Sequence, residues 1–397
     1  MDNKYTNKYD ILIAGGGMVG LSMAIALARD GVQVAVLEKT AMPAQLEEKF
    51  DGRVSAISLG SQRILADIGA WEFMREYAEP ILDIRVTDGS APLFLHYDHR
   101  EVGDDPFGYI LENRHTRYGL QAAAAKLETL TIIDNFAIKN LICDAASATV
   151  VGADGTTLKA RLVIGADGRG SQIRELAGIK TTSWSYKQTA IVCTIEHELP
   201  HNGLAQERFL PVGPFAVLPM LGNRSSLVWV EPDERAPVYM ELPEEEFVQE
   251  IAERIGGYLG KIKTIGGRFS YPLSLLHARA YTAQRVALIG DAAHGMHPIA
   301  GQGVNLGFRD VAELRELILA KYSIGLDIGG ESLLADYARL RKFDNITMLA
   351  VMDILNRLFS NNILPVRLAR DAGLWAVGKM PPLKRFFMRH AMGVKAI

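Results

Sequence analysis

Cysteine is scarce: Cys143 and Cys193 are the only two in 397 residues. That is too few for a disulfide framework or a cysteine-built zinc site, and it fits a reducing compartment. Charge of one sign is not in excess either. The 43 Lys and Arg against 46 Asp and Glu leave a formal charge of −3, so nothing in the balance speaks for nucleic acid. No run of about 18 or more apolar residues occurs, so no segment reads as membrane-spanning. The polar opening MDNKYTNKYD leads straight into a strand and lacks an apolar signal region, which leads us to expect a cytoplasmic protein. The histidines show no metal-ligand spacing such as H-x-x-x-H on a helix, no Ser-His-Asp set stands in a recognisable context, and no metal site is expected.

What is present is a chain with 48% hydrophobic and 22% charged residues, the balance of a globular protein with more than one domain. YDILIAGGG is an apolar run ending in glycines, MVGLSMAIALARDG reads as a helix closed by Gly31, and VQVAVLE as a second buried strand. Together they make the opening βαβ unit of a doubly wound sheet. Gly15, Gly17 and Gly20 form G-x-G-x-x-G between strand and helix. The first glycine permits the tight turn, the second lets backbone approach a pyrophosphate, and the third lets helix pack on strand. The candidate cradle therefore includes Met18 and Val19, at a helix start whose free N–H groups favour a diphosphate. Glu38, followed by Lys39, ends the second strand about 20 residues on, where a carboxylate can accept from ribose hydroxyls. An adenine dinucleotide is expected, and these residues alone leave NAD and FAD both open.

Two later strands also end in glycine turns. LVIGADGRGS carries Asp167, either a ligand or simply a turn and cap residue. ALIGDAAH carries Asp291 on the side where doubly wound sheets bind ligands. A helix then begins near GQGVNLGFRDVAEL, with Leu306, Val311, Leu314, Leu317 and Ile318 as its apolar stripe. Gly301, Gln302 and Gly303 expose backbone N–H groups at its start, suited to the negative charge of a reduced flavin. With Asp291 on the ribityl chain, FAD fits both ends of the site. Between these motifs, alternating segments such as AIVCTIEH, FAVLPM and SSLVWVE read as an antiparallel sheet.

The fold class expected is α/β: a discontinuous Rossmann-type FAD-binding domain (1–80, 105–180 and 280–330), an inserted antiparallel-sheet substrate domain (81–104 and 181–279), and a helical C-terminal region (331–397). Phe209, Phe215, Trp229 and Tyr271 are the sheet's aromatic candidates for a pocket, although core packing explains each singly. In LWAVGKMPPLKRFFMRHAM, basic residues alternate with aromatic and aliphatic ones, a pattern suited to anionic headgroups or an acidic partner; an amphipathic helix with a solvated basic face is the plainer alternative.

IAGGGMVG, IGADGRGSQIRELAGI and LIGDAAHGMHPIAGQGVNLGFRD, in that order and spacing, resemble the class A flavoprotein aromatic hydroxylases with a p-hydroxybenzoate hydroxylase-like fold. DGRVSAIS (51–58), ILEN (110–113) and FSNN (359–362) are similar more specifically to the UbiH/UbiF/VisC group of ubiquinone-biosynthesis hydroxylases. The resemblance covers nearly the whole chain. It implies FAD, NAD(P)H as electron donor, O2 as co-substrate, a polyprenylated phenol as acceptor and oxygen transfer through a C4a-hydroperoxyflavin. It further implies that Arg53 approaches the diphosphate, that Asp167 lies near the diphosphate and the nicotinamide nucleotide, and that Asp291 holds the ribityl chain. Gly301, Gln302, Gly303, Val304 and Asn305 would line the flavin's pyrimidine side. Arg114 matches the helix position that reaches FAD, with Arg117 and Gln121 as alternatives. No residue stands out as a general base. His294 and His297 are nominees, yet both sit in a motif shared by enzymes with differing acceptors, where bonding the loop backbone accounts for them. Pro298 fixes the loop, and the resemblance implies that the carbonyl before it faces the reacting ring. His297 and Pro298 are thus the candidate catalytic positions, Pro298 also against the cofactor. A membrane-borne polyprenyl substrate adds peripheral contact with the inner face of the membrane and with other ubiquinone-biosynthesis proteins. Two rivals stay open: a non-catalytic flavin-binding scaffold subunit and an FAD-dependent isoprenoid reductase.

Overall fold

The structure, a computed structural model, describes residues 8–42, 52–89, 94–295, 302–359 and 379–394. At its centre is β1 (Lys8–Ala14), an apolar strand flanked in parallel by β2 (Val34–Leu37) and β11 (Thr157–Gly165). The sheet runs β17 (Thr282–Ala283), β18 (Val286–Leu288), β11, β1, β2, β8 (Leu130–Ile133), and β10 (Ala148–Gly152) and β9 (Ile138–Cys143) extend it by antiparallel pairing from β11. Helices cover its faces, so its strands read as continuous apolar runs rather than alternating ones, and every residue of β2 is buried. Helix α1 (Met18–Ala28) is itself buried from Gly20 to Ala28, since it packs between sheet and neighbouring helices.

Ala14 pairs with Gly165, and Gly165 with Leu288. The carboxyl ends of β1, β11 and β18 are therefore level, and the three glycine turns leave the sheet side by side.

The second sheet runs β19 (His294–Gly295), β16 (Ile262–Ala278), β12 (Thr181–His197), β15 (Arg224–Pro232), β14 (Gly213–Met220), β13 (Leu204–Leu210), β5 (Asp83–Asp88), β6 (Phe94–Asp98). Its edge strand β19 comes from the loop after β18, so that loop joins the two sheets. Helices α5 (Ala236–Glu241) and α6 (Glu244–Ile255) lie on one face, where Ile191, Phe215, Trp229, Phe247 and Ile251 form a core of their own. Directly opposed residues of antiparallel strands share a face. Phe215 opposes Trp229, so both look toward α6, and they are not the pocket aromatics the sequence nominated. Phe209 is buried as well. Tyr271 opposes Ala190 and Phe269 opposes Val192, on the other face. That face meets residues 52–53: a side chain at Gly52 would run into the Phe269 ring, and the Arg53 guanidinium lies 5.6 Å from the centre of Tyr271.

A small third sheet, β3 (Val54–Ser58), β7 (Gly108–Glu112) and β4 (Glu79–Ile81), stands between the two, with α2 (Leu59–Asp67) and α3 (Asn113–Ala124) leading from it. Short α4 (Gln172–Leu176) follows β11. Helix α7 (Gln302–Tyr322) buries Leu306, Val311, Leu314 and Ile318 on the sheet side, and α8 (Glu331–Phe359) and α9 (Pro381–Ala391) complete the chain. Among the described residues no helix is long and apolar enough to cross a membrane. Cys143 and Cys193 are both free, and burial pushes the Cys193 thiol up to about 12, which keeps it an inert core group.

Candidate cofactor and active site

The three turns open onto one cleft of about 370 Å³. Gly17, Met18 and Val19 line it from the β1 turn, Ala166 and Gly168 from the β11 turn, Ile289 and Asp291 from the β18 turn, and Gly303 and Val304 from the start of α7. Val54 and Ser55 of β3 form the wall that sequence reasoning did not assign, although both stand in DGRVSAIS.

The glycines of the first turn divide the work as their spacing implies. Gly15 has φ +101°, and a Cβ there would lie 2.5 Å from the Ala166 carbonyl oxygen. A Cβ on Gly20 would collide with the Gly15 carbonyl, so helix and turn touch backbone to backbone. At Gly17 an added Cβ would meet no protein atom, and no side chain caps the helix that begins there. The open space at an uncapped helix start is where a diphosphate is stabilised by free N–H groups and the dipole.

Glu38 Oε2 accepts from the Gly16 N–H at 2.6 Å, and Oε1 accepts from the Thr40 N–H and hydroxyl at 3.0 and 2.9 Å. The carboxylate is thus held at the turn with further lone pairs available to a ribose. Lys39 beside it is exposed. Asp167 caps α4: its oxygens accept from the Ser171 hydroxyl at 2.5 Å and from the Gln172 and Ile173 N–H groups at 2.7 and 3.1 Å. Its backbone, rather than its carboxylate, abuts Gly15. Asp291 lies in the cleft and is exposed to solvent there; the protein atoms packed around it raise its carboxyl above the ordinary range, against His294 and Arg169, which lower it. Asn305 is fully buried, its Oδ1 accepting from the Ser58 N–H at 3.0 Å and its Nδ2 donating to the Ala56 carbonyl at 2.8 Å. It fastens α7 to the β3 wall through its side chain.

Arg114 stands apart from the cleft. It pairs with Glu112 at 2.7 Å in a separate cavity of about 130 Å³ that Arg224, His115 and Tyr77 share. Of its alternatives, Gln121 donates to the Met42 carbonyl at 3.2 Å. His297, Pro298 and Gly301 lie outside the described residues. His294 is fully buried and its Nε2 is 2.6 Å from Asp310 Oδ2. Sequence reasoning also passed over Arg174, which is buried and donates to the Ala292 and Arg169 carbonyls at 3.0 and 2.7 Å, tying the second turn to the third. An arginine directly after Ile173 in the mostly apolar IRELAGI was its signal.

Residues 8–344 match the family described as FAD binding domain. Ubiquinone hydroxylase UbiL of Rhodospirillum rubrum is 51% identical over 384 residues, 97% of this chain and 89% of that protein. The chain belongs to the FAD-dependent ubiquinone-biosynthesis hydroxylases. A second member, the mitochondrial ubiquinone biosynthesis monooxygenase COQ6 of Mus musculus, is 34% identical over 434 residues, 96% of this chain and 90% of that one. The crystal structure of p-nitrophenol 4-monooxygenase PnpA from Pseudomonas putida DLL-E4 superposes with a TM-score of 0.81, at 20% identity, covering 99% of this chain and all of that one. That likeness is one of fold. As in this hydroxylase family generally, FAD is the cofactor and monooxygenation the chemistry. The cleft suits FAD: bare backbone at Gly17 for the diphosphate, an acid at Asp291 beyond it, and backbone of Gly303 and Val304 at its far end.

Proposed function

We propose that this hydroxylase inserts one oxygen atom of O2 into the aromatic ring of a polyprenylated phenol, with NAD(P)H as electron donor and FAD in the cleft. The observation that carries the proposal is the convergence of three glycine turns from adjacent parallel strands on one cleft, whose β3 wall is preceded by Gly52 and Arg53, set against Phe269 and Tyr271 of the second sheet. Bound FAD supplies reduction by NAD(P)H and activation of O2, and the second oxygen atom leaves as water. The chain's own work is to bind, orient and exclude water. The start of α1 holds the diphosphate, Glu38 the ribose, Asp291 a ribityl hydroxyl, and the N–H groups of Gly303 and Val304 the pyrimidine edge. Arg53, whose guanidinium lies over Tyr271, is the cation for the diphosphate when FAD is bound, and Asp167 fixes the turn beside it. Phe269, Tyr271, Val192 and Val228 give the apolar cover that keeps water from the reacting oxygen. A substrate with a polyprenyl tail brings the enzyme to the inner face of the membrane and to other proteins of ubiquinone biosynthesis.

The test is complementation of a ubiquinone-deficient strain together with mass spectrometry of the accumulated phenol. Wild type is expected to restore quinone and consume the intermediate that is one oxygen lighter, whereas a variant purified free of FAD restores nothing. Equal restoration by the FAD-free variant would overturn catalysis in favour of a scaffold.

A further inference from the structure

Helix α9 has two unlike faces. Met388 and Met392 are buried in a cluster with Leu59, Phe107, Ile110 and Met220, and Val54, which walls the cofactor cleft, packs against the same cluster. The Met392 carbonyl accepts from the Gly60 N–H at 2.8 Å, and Lys384 Nζ pairs with Glu101 at 2.5 Å, so the helix is fastened along its length. The outer face carries two adjacent phenylalanines, Phe386 55% and Phe387 42% exposed, their rings 5.6 Å apart and set edge to face. Met380 is exposed before them, and Lys379, Arg385 and Arg389 are exposed around them. No Asp or Glu follows Asp371 in the sequence.

Exposed single apolar residues are ordinary, but two neighbouring aromatics on a helix whose opposite face is already satisfied are not. The nearest acids, Glu101 and Asp344, are already paired with Lys384 and Arg341. Cations in excess around an aromatic pair are the arrangement of a helix that lies in a lipid interface, aromatics at the headgroup boundary and cations on phosphate. Apolar exposure continues onto α8 at Leu340, Phe343 and Ile346, with Phe343 78% exposed. Arg309 connects the two helices, lying 4.0 Å from Asp344 of α8 and against Gly393 after α9.

We propose that α9 docks the enzyme on anionic phospholipid, Phe386 and Phe387 entering the headgroup boundary while Lys379, Arg385 and Arg389 meet phosphates. The proposal deepens the membrane contact of the proposed function and rests on it. Its consequence is proximity: the bilayer comes within one helix diameter, about 10 Å, of the apolar cluster that backs the cleft wall.

The experiment uses the FAD-loaded full chain and flotation with vesicles of phosphatidylcholine alone or mixed with phosphatidylglycerol. Wild type is expected to float with the anionic vesicles, to stay behind with phosphatidylcholine, and to be released by salt. F386S/F387S and R385Q/R389Q are each expected to lower partitioning by about tenfold or more while FAD content and melting stay unchanged, since these side chains point away from the core. Hydroxylation of a short-tailed, water-soluble phenol is measured in parallel and should match wild type in both variants. Wild-type failure to bind anionic vesicles, or equal binding by wild type and both variants, would overturn the docking. So would a variant whose only change is a smaller mass in sedimentation equilibrium, which would assign the face to a second copy of the chain. Absent hydroxylation with intact vesicle binding would instead overturn the enzymatic proposal.

Discussion

His294 Nε2 lies 2.6 Å from Oδ2 of Asp310, both side chains wholly buried, and this contact binds the loop after β18 to helix α7. The same oxygen accepts from the Gly290 N–H at 2.9 Å, while Oδ1 accepts from Arg341 Nε of α8 at 2.7 Å. One carboxylate thereby positions the turn that carries Asp291. Of the two histidines nominated as bases from the sequence, His294 has its Nε2 committed to this network.

Asp310→Asn should expose how much the network contributes. Burial would raise the Asp310 carboxyl, but His294 and Arg341 outweigh it and hold the group down to about 2. Removing the charge leaves Arg341 with Asp344, 2.6 Å from its other nitrogen, as its remaining acid, so the loss should stay below the roughly 3–5 kcal/mol of a buried pair broken outright. A depressed folded-state value contributes stability that is fully present above the ordinary carboxylate range, about 3.9, and is lost as pH falls toward 2. Urea unfolding of wild type and variant should therefore differ most near neutral pH and converge through the interval from about 4 to about 2. A constant difference down to the lowest pH would count against charge as the source.

Gly17→Ala and Gly20→Ala separate cofactor from fold. An added methyl at Gly17 meets no protein atom, so the apo protein should melt within about 0.5 kcal/mol of wild type. FAD affinity should nonetheless fall, because the methyl occupies the space left for the diphosphate. At Gly20 the methyl strikes the Gly15 carbonyl, and the apo fold itself should lose about 1–3 kcal/mol. Titration of flavin fluorescence and thermal melts of both variants read the two effects; unchanged affinity in Gly17→Ala would remove the diphosphate from that turn.

These glycines were legible because backbone geometry answers to local sequence: an apolar run, a turn that only glycine permits, a helix. The level ends of β1, β11 and β18 follow from parallel pairing once the three runs are recognised as neighbours. Side-chain partners were less legible. Asp167 and Asn305 were both assigned toward the cofactor, yet α4 and the β3 wall claim their polar atoms at short range, and only the assembled fold reveals that competition. Phe215 and Trp229 could be paired by alternation, but not which sheet face α6 would cover. Asp310 left a signal that went unused: spaced four residues from both Leu306 and Leu314, it sits on the buried stripe of α7, where an acid needs buried partners.

Asp291 is expected to trade stability for cofactor binding. Crowding raises its carboxyl, so the folded apo protein holds this proton more tightly than the unfolded chain, and the ionised form weakens the apo fold at neutral pH. Replacing it with alanine should leave the apo melting temperature equal or higher. Binding runs the other way, because a ribityl hydroxyl donates best to the charged carboxylate, a hydrogen bond worth about 1.5–3 kcal/mol. Asp291→Ala should then weaken FAD by about 10- to 150-fold, and Asp291→Asn by less, since the amide oxygen still accepts. The pH dependence distinguishes the two variants from wild type. Wild-type affinity should decline as pH falls through the raised carboxyl value, at higher pH than for an ordinary aspartate, whereas neither variant has a proton to gain there. FAD dissociation constants measured by flavin fluorescence between neutral and mildly acidic pH, with apo melts alongside, test both halves. Unchanged FAD occupancy in Asp291→Ala would falsify the ribityl role, and a lower apo melting temperature would show that the carboxylate serves the fold instead.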